Sequence, residues 1–415
     1  MTRQESRSPI ATPEREHAQG HAAVSWEALI ATYLPALVFA LGAGIALPAI
    51  PSMAKSFDVG FGVASGVVTS FLIGNLAGTI PTGWLIDRFG RRNIMIAGPL
   101  LTAASGFLTV YSDSFVQLLV LRFISGWAAQ MWLMGRLAAI SHGAAASERG
   151  RQVSWMFGMD STGKLAGPVI GGLIASAWGI RAPFMGYAIL SLIAVVPTFL
   201  YVRDTPRQAD RKSAASTKPM TLREIVLPRL SYFGVALFAG LTRGPIHADL
   251  LHLYAAFAYH LGPAEIGYLA TAASMISLPI GFVAGWMMDR YGRKRTMVPG
   301  FAGVAISMTA LALSAFADLS LAWYVALFLL CVVLQSLTGG SIQTIGADVA
   351  PPEARGAFLG LWRFAGQGGA TISPVLFAVL AEQVNYGSAF LFVAASSAAV
   401  SLLLIGFVEE TRKTG

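Results

Sequence analysis

The sequence predicts an all-α membrane protein: twelve transmembrane helices in two pseudo-symmetric six-helix bundles. Three observations predict it. Of 415 residues, 55% are hydrophobic and only 12% are charged, with a mean hydropathy of +0.63. Soluble domains carry about twice that charged share. Charge-free runs of 18 residues or more recur along the chain, and a helix needs roughly 20 residues to cross about 30 Å of hydrocarbon. A basic loop segment at 83–93 also returns at 285–295. This composition excludes a soluble enzyme, a nucleic-acid binder and a disordered scaffold. The lone Cys331 excludes an internal disulfide framework and a Cys-based metal site.

The elements follow in order. A polar tail, 1–25, shows no cleavable leader pattern, so the first span is expected to act as its own insertion signal. Runs free of Asp, Glu, Lys and Arg cover 28–54, 59–86, 93–112, 182–202, 266–288, 296–317, 319–347, 364–381 and 383–408. Three further apolar runs hold isolated charges: 114–135 with Arg122, 152–180 with Asp160 and Lys164, and 230–257 with Arg243 and Asp249. None alternates with a period of two. Backbone polar groups in lipid must be satisfied within the segment, so these runs are helices. The expected division is a bundle at 26–202, a Pro-, Ser- and Lys-bearing linker at 203–229, a second bundle at 230–408 and a tail at 409–415.

The net charge of +8 is distributed unevenly. The tail, the 2–3 loop (Arg88, Arg91, Arg92), the 4–5 region (Arg136, Arg149, Arg151), the linker, the 8–9 loop (Arg290, Arg293, Lys294, Arg295), the 10–11 region (Arg355, Arg363) and the C-terminus share one side. The other side carries only Lys55 and Arg181. The excess of basic residues on one side predicts that both termini are cytoplasmic in a bacterial-type plasma membrane.

The repeat is detailed. Residues 83–93 read GWLIDRFGRRN and 285–295 read GWMMDRYGRKR, six of eleven positions being identical at an offset of 202. A second match, at an offset of 206, sets Arg149-Gly150 on Arg355-Gly356 and Gly163 on Gly369. Each copy follows an even number of spans, so the halves are parallel repeats about an axis along the membrane normal, with the substrate expected between them. On these residues the chain resembles the major facilitator superfamily over roughly 27–410. Gly83, Asp87, Arg88, Gly90, Arg91 and Arg92 match its 2–3 loop motif, and Gly285, Asp289, Arg290, Gly292 and Arg293 the 8–9 copy. Arg122 to Ala129 is similar to its fourth-span motif, with Ser125 in place of the usual glutamine. Gly163, Gly167, Pro168, Gly171 and Gly172 resemble the fifth-span motif of proton-antiporting exporters. The resemblance implies that Asp87 docks on the start of the eleventh span, near Arg355-Gly356, as a cytoplasmic latch.

Ionisable groups within spans carry the functional reading. A charge facing lipid costs roughly 2.5–3.5 kcal/mol or more, so Arg122, Asp160, Lys164 and Arg243 are expected to face partners or a water-filled cavity. Asp160 and Lys164, four apart, can pair on one helix face. His247 lies one turn from Arg243 beside a Gly244-Pro245 step expected to kink the seventh span, whereas Asp249 and His252 are expected near the interface. Asp160 is the expected proton carrier. The scattered histidines offer no metal cluster or activated nucleophile, so neither an enzyme nor a cofactor is expected. The expected activity is alternating-access transport of small organic molecules, as proton-coupled efflux, by a functional monomer in the lipid bilayer. The alternative is proton-coupled uptake or exchange of an organic anion. The excess of deep positive charge favours neutral, zwitterionic or anionic substrates over lipophilic cations.

Overall fold

Hydrophobic runs that span lipid close their hydrogen bonds within each helix, and the computed structural model shows twelve helical spans. It describes residues 33–143, 149–202, 222–247, 249–351, 354–408 and 410. The tail 1–25, most of the linker (203–221), and residues 409 and 411–415 lie outside the described residues. The first span comprises Leu34–Ala46 and Ala49–Lys55, the second Phe61–Phe89, the third Arg91–Val110, the fourth Phe115–Gly143, the fifth Arg149–Trp178 and the sixth Ala182–Tyr201. The seventh comprises Leu230–His247 and Leu250–Ala258, the eighth Pro263–Tyr291 and the ninth Arg293–Phe316. The tenth comprises Leu321–Ser336 and Ser341–Val349, the eleventh is Arg355–Gln383 and the twelfth Tyr386–Phe407. Eleven of these are long and apolar enough to cross a membrane. The fifth is long enough, with 30 residues, but Arg149, Arg151, Asp160 and Lys164 interrupt its apolar run.

Several helices outlast the charge-free runs. The fourth continues through Arg136 to Gly143, and the eleventh begins at Arg355 rather than 364. Arg136, Arg149, Arg151, Arg355 and Arg363 therefore belong to helices and not to loops. The seventh span does not break at the Gly244-Pro245 step, which lies inside a continuous helix. It breaks at Asp249, which takes a left-handed backbone with φ 59° and ψ 17°.

Packing repeats from one half to the other. The first span packs on the fifth and sixth, the second on the fourth, and the third on the fourth and sixth. The seventh likewise packs on the eleventh and twelfth, the eighth on the tenth, and the ninth on the tenth and twelfth. Glycine permits the closest of these approaches, because a side chain would have no room. A Cβ on Gly163 would meet Leu37, Ala40 and Leu41, and one on its repeat partner Gly369 would meet Leu237, Gly240 and Leu241.

Two seams join the halves, fifth span to eighth and second to eleventh. Both are tight at the end away from the 2–3 and 8–9 loops. There Gly172 lies against Pro263 and Ala264, Gly267 against Pro168, and the Val169 N–H donates to Thr271 Oγ1 at 3.1 Å. Phe61 meets Phe257, Phe377 and Tyr386, with ring centroids 5.8, 6.2 and 5.1 Å away. Lys55 Nζ stands 3.5 Å from the Ala256 carbonyl and 3.2 Å from His260 Nδ1. Nothing approaches within 4 Å of a Cβ built on Gly158, Gly281, Gly285, Gly356 or Gly360. These contacts between the halves gather at the end away from the basic loops, while those five glycines toward the basic end have open space beside them.

Candidate functional site

The two loop motifs form matching corners. Gly90 and Gly292 each end one helix and begin the next, at φ 83° and 105°, a backbone region open to glycine and strained for other residues. Arg88 covers Trp84 and Phe89 at 5.3 and 5.6 Å, and Arg290 covers Trp286 at 5.7 Å. Arg92 donates to the Phe199 carbonyl at the end of the sixth span, 2.9 Å away. Its counterpart Lys294 donates to the Ile405 and Val408 carbonyls at the end of the twelfth, both at 3.0 Å. These cations meet carbonyls left open where helices end. Arg293 pairs with Asp348 at 3.4 Å, while Glu410 accepts the Arg293 and Lys294 backbone N–H groups at 2.9 and 3.1 Å. Asp87 and Asp289 are exposed, and among the described residues Asp87 makes no hydrogen bond or ion pair. A Cβ on Gly83 would just reach Met134, and one on Gly356, the expected docking point of Asp87, would meet open space.

The fifth-span glycines form a seam with the first span. Gly163, Gly167 and Gly171 lie against Leu37–Leu41, Gly44 and Ile45, and Pro168 lies within the uninterrupted helix. The span's neighbouring stripe, Pro168, Val169 and Gly172, meets the eighth span. At 100° per residue Lys164 falls between these two stripes. The exposed Ala166, Ile170 and Leu173 occupy the opposite face. Lys164 is exposed, and this placement turns it toward the opening between the halves.

Asp160 does not pair with Lys164. Its two oxygens accept from both terminal nitrogens of Arg136 on the fourth span, each at 3.1 Å. The side chains are 18% and 3% exposed. Arg136 also lies 4.8 Å from the Trp132 ring centroid, and Tyr33, Ile140 and Met156 form an apolar cluster nearby. Asp160 lies on the Gly163–Gly171 face, where Arg136 of the fourth span reaches both its oxygens, and Lys164, about 40° round the same helix, is left exposed. Arg136 could have been found in the sequence, since Leu137–Ile140 continues the apolar run beyond it.

The remaining cations differ from one another. Arg122 donates Nε–H to the Val67 carbonyl at 3.4 Å and lies over Phe71 at 4.8 Å. Tyr187 of the sixth span and Asp249 of the seventh stand within its electrostatic reach. Arg243 is half-buried and makes no hydrogen bond or ion pair among the described residues. His247 closes its helix, and its side chain lies outside the described residues. His252 is 6% exposed, and its Nδ1 is 3.5 Å from Asp249 Oδ1. Among the described residues no group of His, Cys, Asp and Glu could hold a metal ion. The larger surface crevice, about 540 Å³ between Tyr291, Lys294, Ile405 and Glu410, is remote from these deep charges.

Comparison with known proteins adds the family context. A family model described as the Major Facilitator Superfamily matches residues 32–258 and 233–415. The class B tetracycline resistance protein of Escherichia coli is 24% identical over 353 residues, covering 83% of this chain and 86% of that protein. The quinolone resistance protein NorA of Staphylococcus aureus is 24% identical over 253 residues, covering 58% of this chain and 61% of its own. The crystal structure of a D-xylose–proton symporter superposes with a TM-score of 0.75 at 20% identity, covering 92% of this chain and 98% of that one. At that identity the likeness speaks for the fold alone.

Proposed function

The chain belongs to the Major Facilitator Superfamily, and on that premise we propose that it exports small organic molecules in exchange for protons. It is a multi-pass membrane transporter, not an enzyme. The observation that carries the reading is the asymmetry of the seams: close contact at Gly172–Pro263 and Gly267–Pro168, open space beside Gly158, Gly281, Gly285 and Gly356. Two bundles, 26–202 and 230–408, that rock about a central site would produce this arrangement in one of their end states. With the basic loops and both termini on the cytoplasmic face of a bacterial-type plasma membrane, the conformation is open to the cytoplasm. The Asp87 latch is then disengaged, as it must be in that state.

The resistance proteins among the relatives support the outward direction. Lys164 facing the opening, together with the half-buried Arg243, favours uncharged, zwitterionic or anionic cargo over lipophilic cations. Uptake of an organic anion has only the fold-level likeness to a sugar symporter behind it. The test is transport by purified protein in proteoliposomes under an imposed pH gradient. The probes are tetracycline, norfloxacin, a neutral hydrophobic dye and ethidium. Gradient-driven movement of the first three, with ethidium moved least, is the expected result. Transport indifferent to the gradient, or a strong preference for ethidium, overturns it.

A further inference from the structure

The seventh span contains two titratable groups that the motifs do not use. It is interrupted at Asp249, whose φ of 59° is strained for a residue other than glycine. The interruption lifts the Asp249 carboxylate out of the helical ladder and sets it beside His252. That imidazole is 6% exposed, and neither ring nitrogen has a hydrogen-bond partner among the described residues. A buried polar group left unpaired costs about 1–3 kcal/mol, so its retention calls for a use. The Asp249 side chain is 30% exposed.

The surroundings limit what else could titrate here. From the tenth span, Phe328 meets the His252 ring edge-on at 5.4 Å, and Tyr324 donates its hydroxyl to the Leu251 carbonyl at 2.7 Å. From the first span, Lys55 is held at Ala256 and His260. From the twelfth, Tyr386 packs on Tyr254 at 4.8 Å. From the fourth, on the other half of the molecule, Arg122 is held at the Val67 carbonyl and the Phe71 ring, with Asp249 within its electrostatic reach. Counted at 1.5 Å per residue from the closed ends of their spans, Arg122 and His252 lie at about the same depth, roughly 10 Å.

We propose that Asp249 and His252 form the proton-binding site of the transport cycle. This rests on the proton-coupled reading above and replaces Asp160, which is held by Arg136. When the halves part at the now closed end, the Asp249–His252 pair takes a proton from the outer solution. When they close again, the pair loses its contact with the outer solution. The proton then leaves to water on the side that has opened. No other bond is made or broken.

The experiment needs no transported substrate. Asp113→Cys and Asp318→Cys place spin labels on the two halves at the closed end, both positions being exposed and the native Cys331 buried. Label distances are measured in nanodiscs across about pH 5 to 8, the range in which histidine titrates. The wild-type background is expected to lengthen as pH falls. Asp249→Asn and His252→Gln each abolish that response while remaining monodisperse, Asp249→Glu keeps it, and so does Asp160→Asn. A wild-type background blind to pH, or monodisperse Asp249→Asn and His252→Gln variants that respond fully, overturns the proposal. If the distances behave as expected but no probe moves under a pH gradient, it is the export reading that fails.

Discussion

The Arg136–Asp160 pair gives the sharpest quantitative expectation. Two N–O contacts of 3.1 Å join groups that are 3% and 18% exposed. For unit charges about 4 Å apart at an effective dielectric near 20, the attraction is on the order of 4 kcal/mol. Removing one partner of such a pair typically costs about 3–5 kcal/mol, because the other is left buried without compensation, whereas replacing both by apolar groups is often neutral. Arg136→Ala and Asp160→Ala should therefore each lower the unfolding free energy by about 3 kcal/mol. The double variant Arg136→Met/Asp160→Leu should recover most of that loss, and Lys164→Ala should change stability by less than about 0.5 kcal/mol. Unfolding in mixed micelles titrated with denaturing detergent, followed by tryptophan fluorescence, reads these differences. Single variants as stable as wild type, or a double variant showing the sum of two independent losses, would refute the reasoning.

Three further outcomes follow from named contacts. A Cβ on Gly171 would overlap the Ile45 carbonyl, whereas Gly158 faces open space; Gly171→Val should abolish the monodisperse peak in size-exclusion chromatography, and Gly158→Ala should leave it intact. Val169 and Thr271 touch across the closed seam at 3.1 Å, so Val169→Cys/Thr271→Cys should cross-link under oxidant, halting transport until reductant is added; transport by the cross-linked protein would refute rocking at this seam. Asp87→Ala should insert and melt like wild type yet transport at roughly a tenth of its rate or less, a loss of about 1.4 kcal/mol in barrier terms, and full transport would remove the latch.

The spans were legible because lipid imposes a simple demand, a long stretch without charges, and most stretches meet it. The repeat was legible because Gly90 and Gly292 need the same unusual backbone at the same kind of corner. Reading each run only to its first charge hid the rest. Arg136 ended an apparent run, although Leu137 to Ile140 continue it and carry the guanidinium into the bundle. The contact of Asp249 with His252 was hidden because it depends on the left-handed turn at Asp249, which no residue pattern announces. Partner choice was illegible for a different reason. Spacing of four allows Asp160 and Lys164 to pair, but the glycine seam decides which way each points, and that depends on the first span.

The glycine seam has a mechanical consequence. Where the first and fifth spans meet backbone to backbone, at Gly44 and Gly167, little soft side-chain material is left to absorb shear, so the two should swing as one stiff lever. The fulcrum is then the cluster around Pro168, Gly172 and Pro263, near one tip of helices about 30 residues long. A tilt of about 10° there sweeps the far tip, some 30 Å away at 1.5 Å per residue, through roughly 5 Å. A doorway wide enough for a drug-sized passenger thus requires only a slight turn at its hinge.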